Sequence, residues 1–214
     1  MDLHQKNYRE KVATVLIKNL NKRRMAASYA PTSRQARDEI LAMIPPGATV
    51  SRTGSMSLVE MGLWEELAKN STLKIIDPYA PNLAPETASD LRRQGLLADI
   101  MITSSNALTL DGKIVNLDGL GNRVAAMCFG PKKVILVIGM NKVVPDLDSA
   151  IARVKHLAAP INAIRLGRAT PCVETGLCAD CKSPDRICNM WSIIEGHLPE
   201  DRIHVKLVGE DLGY

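Results

Sequence analysis

Between Tyr8 and about Met25 the apolar residues recur at helical spacing. Val12, Val15, Leu16 and Leu20 fall near one face, with lysines and arginines opposite, which predicts an opening helix. In "PTSRQ", Thr32 and Gln35 have capping-box spacing and predict a second helix running to Met43, ended by Pro45-Pro46. The period then shortens. Ala48–Thr53, Leu73–Asp77 and Ala98–Ser104 read as strands, separated by helical stretches in "GSMSLVEMGLWEEL" and near Pro85–Gly95. Lys132–Gly139 is continuously apolar, which predicts a strand covered on both faces. "DLDSAIARVKHLAA" reads as a helix with Asp146 as N-cap, and "HVKLVG" as a last strand. This alternation predicts an α/β fold, a mostly parallel sheet flanked by helices. One stretch interrupts it. Asp111-Gly112 sits between two β-compatible runs in "NALTLDGKIVNLDG", which predicts an inserted β-hairpin.

No repeat, linker or domain boundary stands out, so a single domain over residues 1–214 is expected, with a cysteine segment, 172–188, packed against it. Aromatic residues make up only 3% of the 214, so the core must be built from Leu, Ile, Val, Ala and Met. The net charge of +4 is dispersed; its densest group, "KNLNKRR" at Lys18–Arg24, reads as a solvated helix face. Without a basic stripe or an aromatic platform, the sequence points away from nucleic-acid binding. "MDLHQKNYRE" is polar and no apolar run reaches the length of a membrane span, so the expected location is cytoplasmic. Disulfides are disfavoured in that compartment.

Two glycine-bearing loops are candidates for ligand binding. "SRTGSMSLVEMG" places Gly54 and Ser55 between a strand and a helix, where doubly wound sheets bind anions, and Ser51 and Ser57 add hydroxyls. Ser57 and Glu60 also fit a second capping box, so helix initiation is the competing reading. The second loop, "NLDGLGNR", carries Asp118, Gly119, Gly121, Asn122 and Arg123, with Asn106 upstream. Its glycines would let backbone approach a ligand, and Arg123 suits a carboxylate or phosphate.

The remaining chemistry lies in "CVETGLCADCKSPDRIC". Cys172, Cys178, Cys181 and Cys188 admit a metal centre, two disulfides or free thiols. Clustering and compartment together favour metal. Four thiolates suit zinc or a [4Fe–4S] cluster, and the spacing matches neither standard pattern. Arg186 and Lys182 would offset thiolate charge or simply be exposed, and Asp180 and Asp185 read as solvated acids. Cys128, isolated in "AAMCFG", is expected to be a buried small apolar side chain. The four histidines form no ligand pair at useful spacing.

The stretch "TSSNALTLDGKIVNLDGLGNRVAAMCFGPKKVILVIGMNKVV" resembles the LUD family, the lactate-utilisation proteins of the LutC/YkgG type. "SRTGSMSLVEMG" is similar to that family's upstream loop, and "PCVETGLCADCKSPDRICN" to the cysteine segment of one bacterial branch. The resemblance implies a fold like that of ribose-5-phosphate isomerase and family-I CoA transferases. It also implies lactate utilisation or related organic-acid redox metabolism beside iron–sulfur partner proteins, and it favours [4Fe–4S] over zinc. As an enzyme, the chain would be an oxidoreductase subunit or a transferase-like protein binding a small anionic metabolite. The alternative is a non-catalytic subunit or scaffold with a structural zinc site.

Overall fold

The computed structural model describes residues 2–198 and 200–214. The chain opens with helix α1 (Leu3–Lys22), then strand β1 (Ala26–Ala30), α2 (Ser33–Ala42), β2 (Thr49–Arg52), α3 (Met56–Glu60), α4 (Leu63–Ala68), β3 (Lys74–Ile76), α5 (Pro85–Gln94) and β4 (Ile100–Thr103). The hairpin strands β5 (Ala107–Thr109) and β6 (Ile114–Asp118) follow, then α6 (Asn122–Cys128), β7 (Lys133–Gly139), β8 (Val143–Val144), α7 (Leu147–Arg153), α8 (Ala159–Arg165), α9 (Pro171–Thr175), β9 (Met190–Ile194) and β10 (Ile203–Val208).

Among the described residues these strands form two sheets. The larger has the order β1-β10-β7-β4-β2-β3, and every neighbouring pair in it is parallel. The smaller, β8-β5-β6-β9, is built on the hairpin expected at Asp111-Gly112, where Gly112 takes φ +92°. The predicted α/β class therefore holds, and its interruption has grown into a second sheet.

Strand β7 shows why the larger sheet is stable. Its side chains alternate between two cores. Val134, Leu136 and Ile138 face a core shared with Leu16 and Leu20 of α1 and Met127 of α6. Ile135 and Val137 face Ile40, Leu58 and Trp64 on the opposite side. Leu108 and Ile114 of the hairpin join the first core, so the second sheet is fastened to the first by apolar packing. Its other face, Ala107, Val115 and Leu117, packs on Ala150, Val154 and Ala159.

Several expectations are corrected in detail. The first helix begins earlier, at a capping box formed by Asp2 and Gln5, and Val15 lies 51% exposed while Ala13 takes the buried position. Only half of the second box forms: Thr32 accepts from the Gln35 backbone, but the Gln35 side chain donates to Glu39. The Ser57–Glu60 box does not form. Ser57 lies inside α3, and Glu60 accepts from the Gly213 backbone instead. Gly62, at φ +64°, separates α3 from α4 where one helix was expected. Strands β1 and β9 are additions: "AASYA" and "MWSII" are short and become strands only by pairing with β10 and β6. Cys128 is exposed, because it ends α6 at the surface while Val124 and Met127 turn inward.

Leu136 is fully buried at the centre of the larger sheet. Leu136→Ala should cost about 2–5 kcal/mol. Urea titration should show a lower midpoint with an unchanged m-value.

Candidate functional site

In a parallel sheet, ligands bind beyond the carboxyl ends of the strands, where chain direction frees the loops. Strands β2, β4 and β7 are neighbours here, and their ends lead into Thr53–Ser57, Ser104–Asn106 and Met140–Lys142. These segments meet the "DGLGNR" loop from the second sheet. Together they enclose a cleft of about 280 Å³. Of the residues expected at a ligand site, Gly54, Ser55, Asn106, Asp118, Gly119, Asn122 and Arg123 line it. Ser51, Ser57 and Gly121 do not form its wall. Ser51 is buried against Gly95, Ser57 lies one layer behind the cleft, and Gly121 packs on Met190. A side chain at Gly54 would strike the Tyr79 ring, which also lines the cleft.

Arg123 is fully engaged by the protein. Nη1 donates to Ser104 O at 3.2 Å and Asn116 Oδ1 at 2.8 Å; Nη2 donates to Asn106 Oδ1 at 3.0 Å and Leu117 O at 3.1 Å. Asp118 sits 3.5 Å from Nε and accepts from the Arg123 backbone. The guanidinium thus ties the end of β4 to β6, and its planar fork suits that task better than a lysine would. It holds the cleft's shape.

The sequence reading missed Lys142, which is only 3% exposed. Its Nζ donates to Ser57 Oγ at 2.9 Å and Ser104 Oγ at 3.0 Å, and among the described residues it makes no ion pair. Burial pushes its pKa down to about 7, and the nearby charges of Arg153 and Arg123 push the same way against a weaker pull from Glu60. Arg92, beside Tyr79, and Arg165, beside Tyr214, also reach the cleft, and among the described residues neither makes an ion pair. Positive charge therefore exceeds negative in a confined space. "MNKVV" by itself gave no signal, because Lys142 faces the cleft only once β7 lies beside β4.

The four cysteines line a second cavity of about 270 Å³. Gly176, at φ +74°, ends α9 and turns the chain back, so Cys172, Cys178, Cys181 and Cys188 all face one space. Burial raises the pKa of the Cys188 thiol; the other three cysteines add to the rise and Arg186 opposes it. Arg186 is neither merely exposed nor free. It donates to the carbonyls of Cys181 and Cys188, and its Nε is buried without a partner. Lys155 lines the same cavity and pairs with Asp180 at 3.0 Å, an acid that stays exposed as expected, while Asp185 pairs with Arg168 at 3.0 Å and also accepts from the Ala169 backbone. Among the described residues, no three His, Cys, Asp or Glu side chains are drawn together as they are around a single bound ion. The two cavities share Leu117, Ala159, Ile187 and Cys188 as a common wall. Beside that wall the helix after α7 widens into a π turn, Val154–Ala158, a feature often found at functional sites.

Comparison with known proteins identifies part of this architecture. The LUD domain family model matches residues 13–208. A search of curated protein sequences returns no match. The structure of a DUF162 family protein from Deinococcus radiodurans superimposes with a TM-score of 0.51 at 13% identity, covering 94% of this chain and 97% of that one, a likeness of fold. Two fainter likenesses are to eIF2B delta from Chaetomium thermophilum and to a D-ribose-5-phosphate isomerase in complex with phospho-erythronic acid. The first has a TM-score of 0.36 and 17% identity, covering 66% of this chain and 54% of that one. The second has a TM-score of 0.35 and 15% identity, covering 54% of each chain. Both are too distant to bear on function. No described helix is long and apolar enough to cross a membrane.

Two stability measurements follow from this geometry. Arg123→Met strips a charged donor from four acceptors and should cost roughly 3–5 kcal/mol, read as a lower denaturation midpoint. Lys142→Met should act in the opposite direction. The unfolded chain holds the lysine proton up to about 10.5, and the folded chain only to about 7. Folding therefore loses stability as pH falls through that window, and the loss levels off below it. Removing the amine should raise Tm by a few degrees at about pH 7 and by less at about pH 10.

Proposed function

Because the chain belongs to the LUD domain family, which is associated with lactate utilisation, we propose that it binds a small organic acid or related anionic metabolite in the cation-rich cleft and a metal–sulfur centre at the four cysteines. The observation that carries this reading is the shared wall: Cys188 faces both cavities. A ligand in one chamber and a centre in the other would be separated by a single layer of side chains.

The donor set fits a cluster. Four thiols are the ligands such a centre takes, and a void of about 270 Å³ is roomy for a single tetrahedral zinc with its short metal–sulfur bonds. The unpartnered Nε of Arg186 is a donor available to cluster or cysteine sulfur, and Arg186 and Lys155 supply positive charge beside four thiolates. When bound, a [4Fe–4S] centre would supply single electrons next to the ligand. Everything else is done by the chain. Arg123 fixes the loop geometry, and Arg92 and Arg165 draw an anion to the mouth. Leu117 and Ile187 keep the partition between the chambers apolar. In such a site an organic acid would be oriented with its charge among the cations. Electrons would reach or leave the protein through the iron–sulfur partners that the family resemblance implies.

Anaerobically purified protein should be brown, contain about four irons and four acid-labile sulfides per chain, and bleach on reduction. Cys181→Ser and Cys188→Ser should each lose iron. A colourless protein with one zinc per chain, retained after chelation, would overturn the redox reading and leave a structural centre.

A further inference from the structure

The buried amine behind the cleft is held in an unusual way. Nζ of a protonated lysine has three hydrogens to donate. Two are taken, by Ser57 Oγ and Ser104 Oγ. Those hydroxyls have acceptors of their own: Ser57 Oγ donates to Leu212 O, and Ser104 Oγ to Ser105 O. Both oxygens therefore accept from Nζ, and the third Nζ hydrogen has no acceptor among the described residues. Lys142 also lines the cleft. A buried ammonium normally has a carboxylate beside it. Here the groups facing it from the packed elements are Arg123 of α6, Arg153 of α7 and Glu60 of α3. Each is occupied elsewhere: Arg123 with the asparagines and carbonyls, Arg153 with Asn141 O and Asn106 O, and Glu60 with the Gly213 backbone.

We infer that the missing counter-ion of Lys142 is the ligand: an oxyanion, carboxylate or phosphate, seats on Nζ at the deep end of the cleft, and its binding draws a proton onto the amine. The inference rests on the cleft being an anion site and adds which group anchors the anion and how pH controls it. The balance is simple. In the ligand-free protein the amine is about half protonated near neutral pH and loses its proton above it, since burial and two arginines disfavour its charge. The direct attraction of an arriving oxyanion offsets burial and the two arginines, so up to one proton moves from solvent to Nζ as the complex forms. No bond to the ligand is made or broken. Arg92 and Arg165, at the mouth, stay charged throughout and would govern attraction of the anion rather than its pH dependence.

Sulfate and oxalate are suitable probes, since neither titrates between about pH 6 and 9. Calorimetry on the full chain, in buffers of different ionisation heat, should show uptake approaching one proton per anion above neutrality. Affinity should fall roughly tenfold per pH unit above about 7 and level off below it. A preference for sulfate would mark the seat as a phosphate site, and a preference for oxalate as a carboxylate site. Lys142→Gln should bind more weakly at pH 6 and show no pH slope. Flat affinity with no proton uptake in the unaltered protein would overturn the inference, as would unchanged binding and slope in Lys142→Gln. In that event Arg165→Gln would still weaken both probes, and the cleft reading would stand. If neither probe binds the unaltered protein at any pH, the cleft reading falls along with the inference.

Discussion

The guanidinium of Arg123 is the joint on which the site depends. The molecule is two sheets, and the cleft lies where they meet. Apolar packing through Leu108 and Ile114 brings the sheets together, but it is not directional. Arg123 supplies the direction. Its fork reaches the end of β4 through Ser104 O and the body of β6 through Asn116 and Leu117, with Asp118 alongside. Ser104 is thereby fixed opposite Ser57, and the two hydroxyls hold Lys142. Shape at one end of the cleft and charge at the other are parts of one hydrogen-bonded network.

That network explains how an amine stays buried without a carboxylate. Ser57 and Ser104 are neutral, so they satisfy hydrogen bonds without cancelling charge. The cost falls on the folded state. In the second chamber the half-buried Cys188 thiol likewise resists ionisation, with desolvation as the main cause. Arg186 holds the loop by donating to Cys181 O and Cys188 O, yet keeps one donor unused. Both chambers hold polar groups that the protein's own hydrogen bonds leave partly unused.

The chain's local order fits this arrangement. The segment from Asp146 to Arg165 begins with a regular N-cap and then widens into the π turn beside the shared wall. There Ala158 and Ala159 offer small side chains, which leave room for both cavities. The C-terminal stretch adds a floor. Leu212 and Gly213 bond to Ser57, Asn141 and Glu60, which brings Tyr214 to the cleft. Residues far apart in sequence thus complete the seat around Lys142.

The sequence by itself determined the class of fold, the hairpin and the cysteine segment. Alternating periodicity, the apolar run within Lys132–Gly139 and Asp111-Gly112 are local signals, and each was realised locally, the strand as Lys133–Gly139. The LUD resemblance was legible for the same reason, as a contiguous motif, and the family match extends over residues 13–208. Tertiary structure alone decided the rest. Strands β1 and β9 are too short to announce themselves and exist through their partners. Arg123 looked like a free anion clamp until its four acceptors arrived from the β4–β5 loop and from β6. Lys142 looked like any lysine after a strand. Its chemistry depends on burial and on two serines 85 and 38 residues away in sequence, which only the order of strands in the sheet brings to it.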